Sequence, residues 1–287
     1  MRTAVLVTGA TGAVGRRVVD GLAAGGAEVR AVSRDPSTAG LPSDVECVAA
    51  QQPFGDLLAG MHAALVNVTA LGLGDPAVDP VRRLDELVAA AHAHGTTRLV
   101  LLSSASALDP DSPIGAGYRP LENRIEQFTG NVTVLRPTLF ASNTAHWWAA
   151  GIQQARSAGA PYADVAIAPI DERDVADAIT AALLRAARPG RSDHLLTGPE
   201  RLTPRELVAI IAGLLGTDIA FDEVPPAVVR RELLDAGAAE WAVDGLLRSF
   251  EYAGSEPIAI SDALQQFTGR APRTYAEWVA DHLTLFR

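Results

Sequence analysis

The 287-residue sequence contains no lysine, so all 24 of its basic residues are arginine. That absence removes every mechanism that turns on an ammonium group: a Walker lysine on phosphate, a Schiff-base lysine, or a lysine that tunes a neighbouring tyrosine. Cysteine is almost missing as well. Cys47 stands alone, which excludes an intramolecular disulfide and fits a cytoplasmic setting. Lying in the alternating stretch 45–48, it reads as an inert, buried thiol. There is no basic run, and 34 acidic against 24 basic residues leave a net charge of −10. Nucleic acid and anionic membrane surfaces are therefore poor partners. No apolar run approaches the roughly 18 residues of a membrane span. The short run after Arg2 ends in a Thr/Gly-rich turn after about six residues, too early for a signal peptide. A soluble, cytoplasmic protein is expected.

What is present is a regular alternation. Short β-branched runs at 3–8, 28–33, 44–49, 64–69, 98–103 and 132–136 are separated by helical patterns at 14–24, 54–60, 78–94 and 113–128. Strands alternating with helices mean right-handed crossovers and a parallel sheet covered on both faces. Beyond these, 143–158 reads as helix, 164–170 as a short strand, and Asp171 caps a helix to about Ala187, with Asp174 three residues on. Residues 194–197 and 219–224 read as strands. Thr203-Pro204-Arg205-Glu206 is a strong helix start, Pro225-Pro226 opens another helix, and a last one covers 274–285. The expected fold class is α/β: a Rossmann-type doubly wound parallel sheet with a smaller mixed C-terminal substrate lobe. The division falls at 1–140 and 141–287, the second part returning some elements to the sheet.

The informative stretch lies between the first strand and the first helix, Gly9-Ala10-Thr11-Gly12-Ala13-Val14-Gly15. A dinucleotide pyrophosphate lies against backbone amides at a helix N-terminus, where unpaired N–H groups and the helix dipole meet its charge. Gly9 suits the tight turn, Gly12 the close approach of phosphate, and Gly15 the packing of helix on sheet. The spacing is GxxGxxG rather than GxGxxG. At the end of the second strand, where an acidic residue would bind the ribose hydroxyl of NAD, stands Ser33-Arg34. A guanidinium suits the 2′-phosphate, so NADP(H) is the expected cofactor.

The segments TGATGAVG, VRAVSRDP, RLVLLSSAS, VTVLRPTLF, IAPIDERDVADA, LTGPERLTPREL and TGRAPRTYAEWVADH follow one another in this order. Together they resemble the NmrA-like branch of the atypical short-chain dehydrogenase/reductase superfamily across nearly the whole chain. The resemblance implies NADP(H) at the carboxyl ends of the strands. It places Val68, Thr69 and Ala70 beside a ribose, Ser103, Ser104 and Ala105 beside the nicotinamide, and Pro137, Thr138 and Leu139 around its carboxamide. Related chains often carry Gly-Asp after the third strand; Gln51-Gln52 here makes that contact neutral or removes it.

In the superfamily's familiar members a serine, a tyrosine and a lysine one helical turn beyond the tyrosine reduce carbonyls. Ser104 and Tyr118 match the first two, but Glu122 stands four residues past Tyr118. On a shared helix face a carboxylate would raise the phenol pKa, opposite to what that mechanism needs. Tyr118 remains a candidate neutral proton donor or substrate ligand, or else a plain helix residue reaching solvent; Glu122 is either an acid–base group or part of a charged face with Arg124 and Glu126. Arg136 reads as a structural anchor for a carboxylate. In His146-Trp147-Trp148, expected to line the substrate cavity, His146 and Asn143 are the polar candidates and His146 a candidate catalyst. Asp171, Glu172 and Asp174 read as capping, and no metal site is expected.

The leading expectation is an NADPH-dependent oxidoreductase that transfers hydride to a small aromatic or conjugated carbonyl or quinone, with no nucleic-acid or membrane partner and homodimerisation left open. Two alternatives stand beside it: a non-catalytic NADP(H) sensor acting through a protein partner, and a non-redox isomerase or cyclase.

Overall fold

A computed structural model describes residues 2–186 and 188–287. Its strands are β1 (Ala4–Val7), β2 (Glu28–Ser33), β3 (Glu46–Ala49), β4 (Ala63–Asn67), β5 (Arg98–Leu102), β6 (Asn131–Pro137), β7 (Ser157–Ala160), β8 (Gly190–Leu196) and β9 (Ala220–Glu223). The helices are α1 (Ala13–Ala24), α2 (Phe54–Leu58), α3 (Pro80–Ala93), α4 (Pro113–Arg124), α5 (Asn143–Ala155), α6 (Glu172–Leu184), α7 (Pro204–Leu215), α8 (Pro226–Asp235), α9 (Glu240–Ser255), α10 (Ala263–Thr268) and α11 (Tyr275–Asp281).

Seven strands form one sheet in the order β3-β2-β1-β4-β5-β6-β8, every neighbouring pair parallel. The chain winds outward from β1 through β2 to β3, then crosses back to β4 on the other side of β1. That reversal opens a crevice at the carboxyl ends of β1 and β4, where ligands of such sheets bind. The alternate residues of β1 explain why it sits centrally. Val5 and Val7 face α1, α6 and α10 through Val18, Leu22, Ile179 and Leu264. Leu6 faces the opposite layer, α2 to α4, through Leu57, Leu84 and Leu121. A strand apolar on both faces is at home only between two helical layers.

The C-terminal half contributes to both parts of the molecule. α6, β8 and α10 join the main sheet and its helical cover. A third apolar cluster, with Trp148, Ile211, Phe250, Trp278 and Phe286, binds α5, α7, α9 and α11 into a lobe above the sheet. Among the described residues no helix is long and apolar enough to cross a membrane.

Several elements differ from expectation for local reasons. Residues 164–170 make only the isolated bridges Phe140↔Ile170 and Ile167↔Leu202, because Pro169 has no N–H to continue a ladder. The helix expected over 143–158 ends at Ala155, where Arg156 turns left-handed at φ 51°; the next residues form β7, which pairs with the distant β9. α6 stops at Leu184, and Ala187, its expected end, lies outside the described residues. One helix expected after Pro225-Pro226 is two, because Gly237 adopts φ +89° between α8 and α9. Cys47 is half-buried, and burial pushes its thiol pKa up.

Candidate active site

The loop between β1 and α1 is built around backbone. Just before it, the Thr8 hydroxyl donates to the Leu65 carbonyl at 2.8 Å and accepts from the Asn67 N–H at 2.9 Å, tying β1 to β4 at the reversal. Gly9 takes φ +68°, and the Gly12 N–H closes the turn on its carbonyl at 3.1 Å. Gly12 then caps α1 in extended conformation; no side chain caps this helix, and its first turn holds no acidic residue. Its leading N–H groups are thus available to an anion with nothing nearby to repel it.

The glycines differ in what a side chain would meet. A Cβ on Gly15 would stand 2.0 Å from the Gly9 carbonyl oxygen, whereas on Gly12 the nearest atom is that same oxygen at 3.4 Å. Gly15 is dictated by the fold. Gly12 leaves open space at the helix N-terminus, the cradle a diphosphate needs, so the loop fits the expected dinucleotide. Thr11, Ala13 and Val14 complete it; Val14, in the first turn of α1, is buried while Thr11 and Ala13 are exposed.

At the end of β2 the Ser33 hydroxyl is engaged with Asp35, donating to its carbonyl at 3.0 Å and accepting from its N–H at 3.2 Å. Asp35 caps the next turn, its carboxylate accepting from the Ser37 N–H and hydroxyl at 3.0 and 2.6 Å. The Ser37 hydroxyl holds its pKa low. Asp35 is thereby turned away from Arg34, which is exposed and makes no hydrogen bond or ion pair among the described residues. That is the arrangement a 2′-phosphate requires.

After β4 the chain makes a single turn over Val68–Leu71, capped by Asn67, whose side-chain oxygen accepts from the Thr69 N–H and hydroxyl at 3.2 and 2.8 Å. Val68 is buried in the core while Thr69 and Ala70 are exposed, so Val68 could reach a ligand only through its backbone. Asn67 was not anticipated. Its amide nitrogen lies 2.8 Å from where a Gly9 Cβ would be, which puts it directly over the glycine loop.

Beside these strand ends lies a cavity of about 240 Å³, lined by Ser103, Ser104, Tyr118, Pro137, Leu139 and Asn143. The sequence-predicted residues around the nicotinamide and the candidate Tyr118 therefore share one chamber. The Ser104 hydroxyl accepts from the Ser106 N–H at 3.2 Å, which leaves its own proton free for a ligand. Thr138 turns its hydroxyl away, onto the Ala168 carbonyl at 2.5 Å. The Tyr118 hydroxyl has no partner among the described residues. Burial alone pushes its pKa upward, so it is a neutral phenol.

Glu122 is placed otherwise than its spacing from Tyr118 implies. It does not line the cavity. It is buried against the β6–β8 edge, its two oxygens accepting from Arg136 at 2.9 and 2.5 Å and one of them also from the Ser103 hydroxyl. Arg191 donates to its backbone carbonyl at 2.8 Å, and Asp193 bridges the two arginines. Glu122 is thus the carboxylate that Arg136 anchors, and its charge is spent on guanidinium rather than on the phenol.

His146 is also displaced. Asn143 lines the cavity, but His146, a turn further along α5, is exposed and faces a separate groove of about 530 Å³ with Trp147, Trp148 and Val224. Leu246 and Phe250 line both spaces and form the partition between them. His146 therefore has no access to the chamber of Tyr118. The aromatic walls of that chamber are Phe140, Phe250 and Tyr252 instead. Phe250 and Tyr252 lie on α9, and Arg201, also in the lining, sits between β8 and α7. No spacing rule could bring α9 over strand ends more than a hundred residues earlier. Finally, Asp171 caps α6 and pairs with Arg173 at 2.6 Å, and Asp174 accepts from the Arg273 N–H at 2.7 Å and from Arg270 at 2.8 Å.

Comparison with known proteins places this geometry. The model of the NmrA-like family matches residues 1–262. A (4-alkanoyl-5-oxo-2,5-dihydrofuran-3-yl)methyl phosphate reductase of Streptomyces griseus is 36% identical over 98% of this chain and 99% of its own. An NAD(P)H azoreductase of Xenophilus azovorans is 27% identical over 98% and 99%. Among solved structures, the NADPH-dependent quinone oxidoreductase of Escherichia coli complexed with NADPH superposes with a TM-score of 0.82 at 20% identity, covering 98% of this chain and 99% of that one.

Proposed function

This chain belongs to the NmrA-like family and is an NADP(H)-dependent reductase of the atypical short-chain dehydrogenase/reductase type, and we propose that its substrates are conjugated carbonyl compounds whose carbon–carbon double bond is strongly electron-poor. The observation that carries this reading is the chemistry of the chamber. It offers a neutral phenol, a serine hydroxyl and largely apolar walls, and no ammonium or other cation hydrogen-bonded to the phenol to strengthen it as an acid. Such a site suits a substrate that accepts hydride with little help. The Streptomyces griseus relative is named for a substrate of that kind, a dihydrofuran whose ring double bond is conjugated with both a ring carbonyl and an alkanoyl group.

Gly12 and the N-terminus of α1 would hold the pyrophosphate, Arg34 the 2′-phosphate, and the backbone at Ser103, Ser104 and Pro137–Leu139 would border the nicotinamide. Bound NADPH supplies the hydride. Negative charge then develops on a carbon stabilised by one or two carbonyl groups. Tyr118 and Ser104 donate hydrogen bonds to the carbonyl oxygen, and a proton from Tyr118 or solvent completes the reduction. Phe140, Leu246 and Phe250 exclude water and hold the acceptor in place.

Loss of NADPH absorbance across a panel of alkanoyl butenolides, quinones and simple ketones tests this reading. Doubly activated alkenes should turn over fastest and simple ketones scarcely at all. Tight NADPH binding with no acceptor reduced at any pH would overturn it in favour of the sensor. Tyr118→Phe should lower kcat about 10- to 100-fold with little change in KM. Because the phenol pKa is raised, the wild-type rate should show no break from its ionisation up to about pH 10. Arg34→Ala should weaken NADPH about 10- to 100-fold, the range of a charge-assisted hydrogen bond, and leave NADH affinity within about twofold by calorimetry.

A further inference from the structure

We propose that Arg201 anchors an anionic oxygen group of the substrate, a phosphate monoester or a carboxylate, in the chamber beside the strand ends. The proposal rests on the reductase reading and names the class of substrate it acts on.

Two side chains of opposite charge line the chamber, Arg201 and Asp109. Asp109 is already satisfied. It accepts from Arg248 at 2.7 and 3.1 Å, and that guanidinium holds its pKa low. Arg201 makes no hydrogen bond or ion pair among the described residues, so its charge is the one left uncompensated in the lining. Arg201 is exposed to solvent as well as lining the chamber, so its guanidinium is open to an entering anion. A planar, weakly hydrated guanidinium also suits bidentate contact with carboxylate or phosphate oxygens.

The place of Arg201 is fixed by the fold. Its neighbour Leu202 exchanges two backbone hydrogen bonds with Ile167, at 2.8 and 2.9 Å. The next residue, Ala168, receives the Thr138 hydroxyl. The strand end beside the nicotinamide and the loop bearing Arg201 are therefore braced to one another. Tyr252 supplies a second donor. The C-terminal turn of α9 meets the same segment, since a Cβ on Gly254 would lie 3.4 Å from Val165. Tyr252 lines the chamber, and its hydroxyl has no partner among the described residues. Ser104 and Tyr118 line the same chamber. A substrate held by its anion at Arg201 would thus share the chamber with both hydroxyls.

Calorimetry with the NADP⁺-saturated protein, whose own phosphate sites are then filled, tests the anchor directly with phenyl phosphate and phenylacetate as probes. Saturable binding of at least one anion is expected, weakened about 10- to 100-fold in Arg201→Gln and partly restored in Arg201→Lys. If the group is a phosphate monoester, affinity for phenyl phosphate rises through about pH 6 as its second proton leaves; a carboxylate preference shows no such rise. Kinetics with an enone phosphate and its uncharged alcohol should then show Arg201→Gln raising KM for the phosphate alone. Failure of both anions to bind, or equal binding by Arg201→Gln, overturns the proposal. Turnover of uncharged acceptors with no anion preference would overturn it too while leaving the reductase reading intact. Arg201-dependent anion binding without any turnover would sink that reading instead.

Discussion

Installing lysine at position 122, the residue type that familiar members of the superfamily carry one turn after the tyrosine, is expected to unfold this protein rather than improve it. Glu122 is 5% exposed and receives both a bidentate grip from Arg136 and the Ser103 hydroxyl, with Arg191 3.7 Å away. Removing one partner of such a buried pair costs about 3–5 kcal/mol, because the remaining charge is left without compensation. Glu122→Ala should therefore lower Tm by on the order of 10 °C. Glu122→Lys adds a third cation beside two arginines and should yield protein without a cooperative melt. Glu122→Gln retains the acceptor oxygen for Ser103 and the side-chain shape, so it should fall between wild type and alanine. Circular dichroism melts of the three variants decide the matter. A Glu122→Gln protein with wild-type stability but no turnover would show that the carboxylate acts in the reaction after all.

The same residue shows where sequence reasoning reached and where it stopped. An i, i+4 relation correctly puts Tyr118 and Glu122 on neighbouring turns of α4, but it cannot say which of them faces the ligand. That is settled by Arg136 and Arg191, 14 and 69 positions later, brought together by the pairing of β6 with β8. Arg136 itself was legible as a carboxylate anchor, since arginine at a buried strand end needs a partner; the partner was not. The glycine loop and Ser33-Arg34 were legible because their work is local, done by backbone within a few residues. The chamber walls were not, because Leu246, Phe250 and Tyr252 reach it through tertiary packing of α9 alone. His146 shows the opposite error. Proximity in sequence to the last strand suggested the chamber, yet a single helical turn carried it beyond the partition of Leu246 and Phe250.

Substitutions at Gly12, the N-cap of α1, and at Gly15 in its first turn should separate what the fold demands from what the nucleotide demands. In Gly15→Ala the new methyl would stand 2.0 Å from the Gly9 carbonyl oxygen and 2.8 Å from its carbon, far inside van der Waals contact. Neither atom can yield cheaply. Gly9 is held left-handed, and on its other side the Asn67 amide leaves no room. The helix must move instead, and α1 carries Val14, Val18, Val19 and Leu22 in the core. Alanine's better helix propensity, worth about 1 kcal/mol, does not offset that displacement. Gly15→Ala should be markedly destabilised even without nucleotide and bind NADPH at least about 100-fold more weakly. In Gly12→Ala the added methyl meets only the Gly9 oxygen at 3.4 Å, so the apo protein should lose about 1 kcal/mol or less, the difference between glycine and alanine as helix caps. Its NADPH affinity should nonetheless collapse, because that methyl occupies the space the pyrophosphate needs against the α1 amides. Thermal melts of both variants with and without NADPH read out the contrast. A Gly12→Ala protein that keeps wild-type affinity would mean the diphosphate does not lie on this helix, and the cofactor assignment would have to be rebuilt from Arg34 alone.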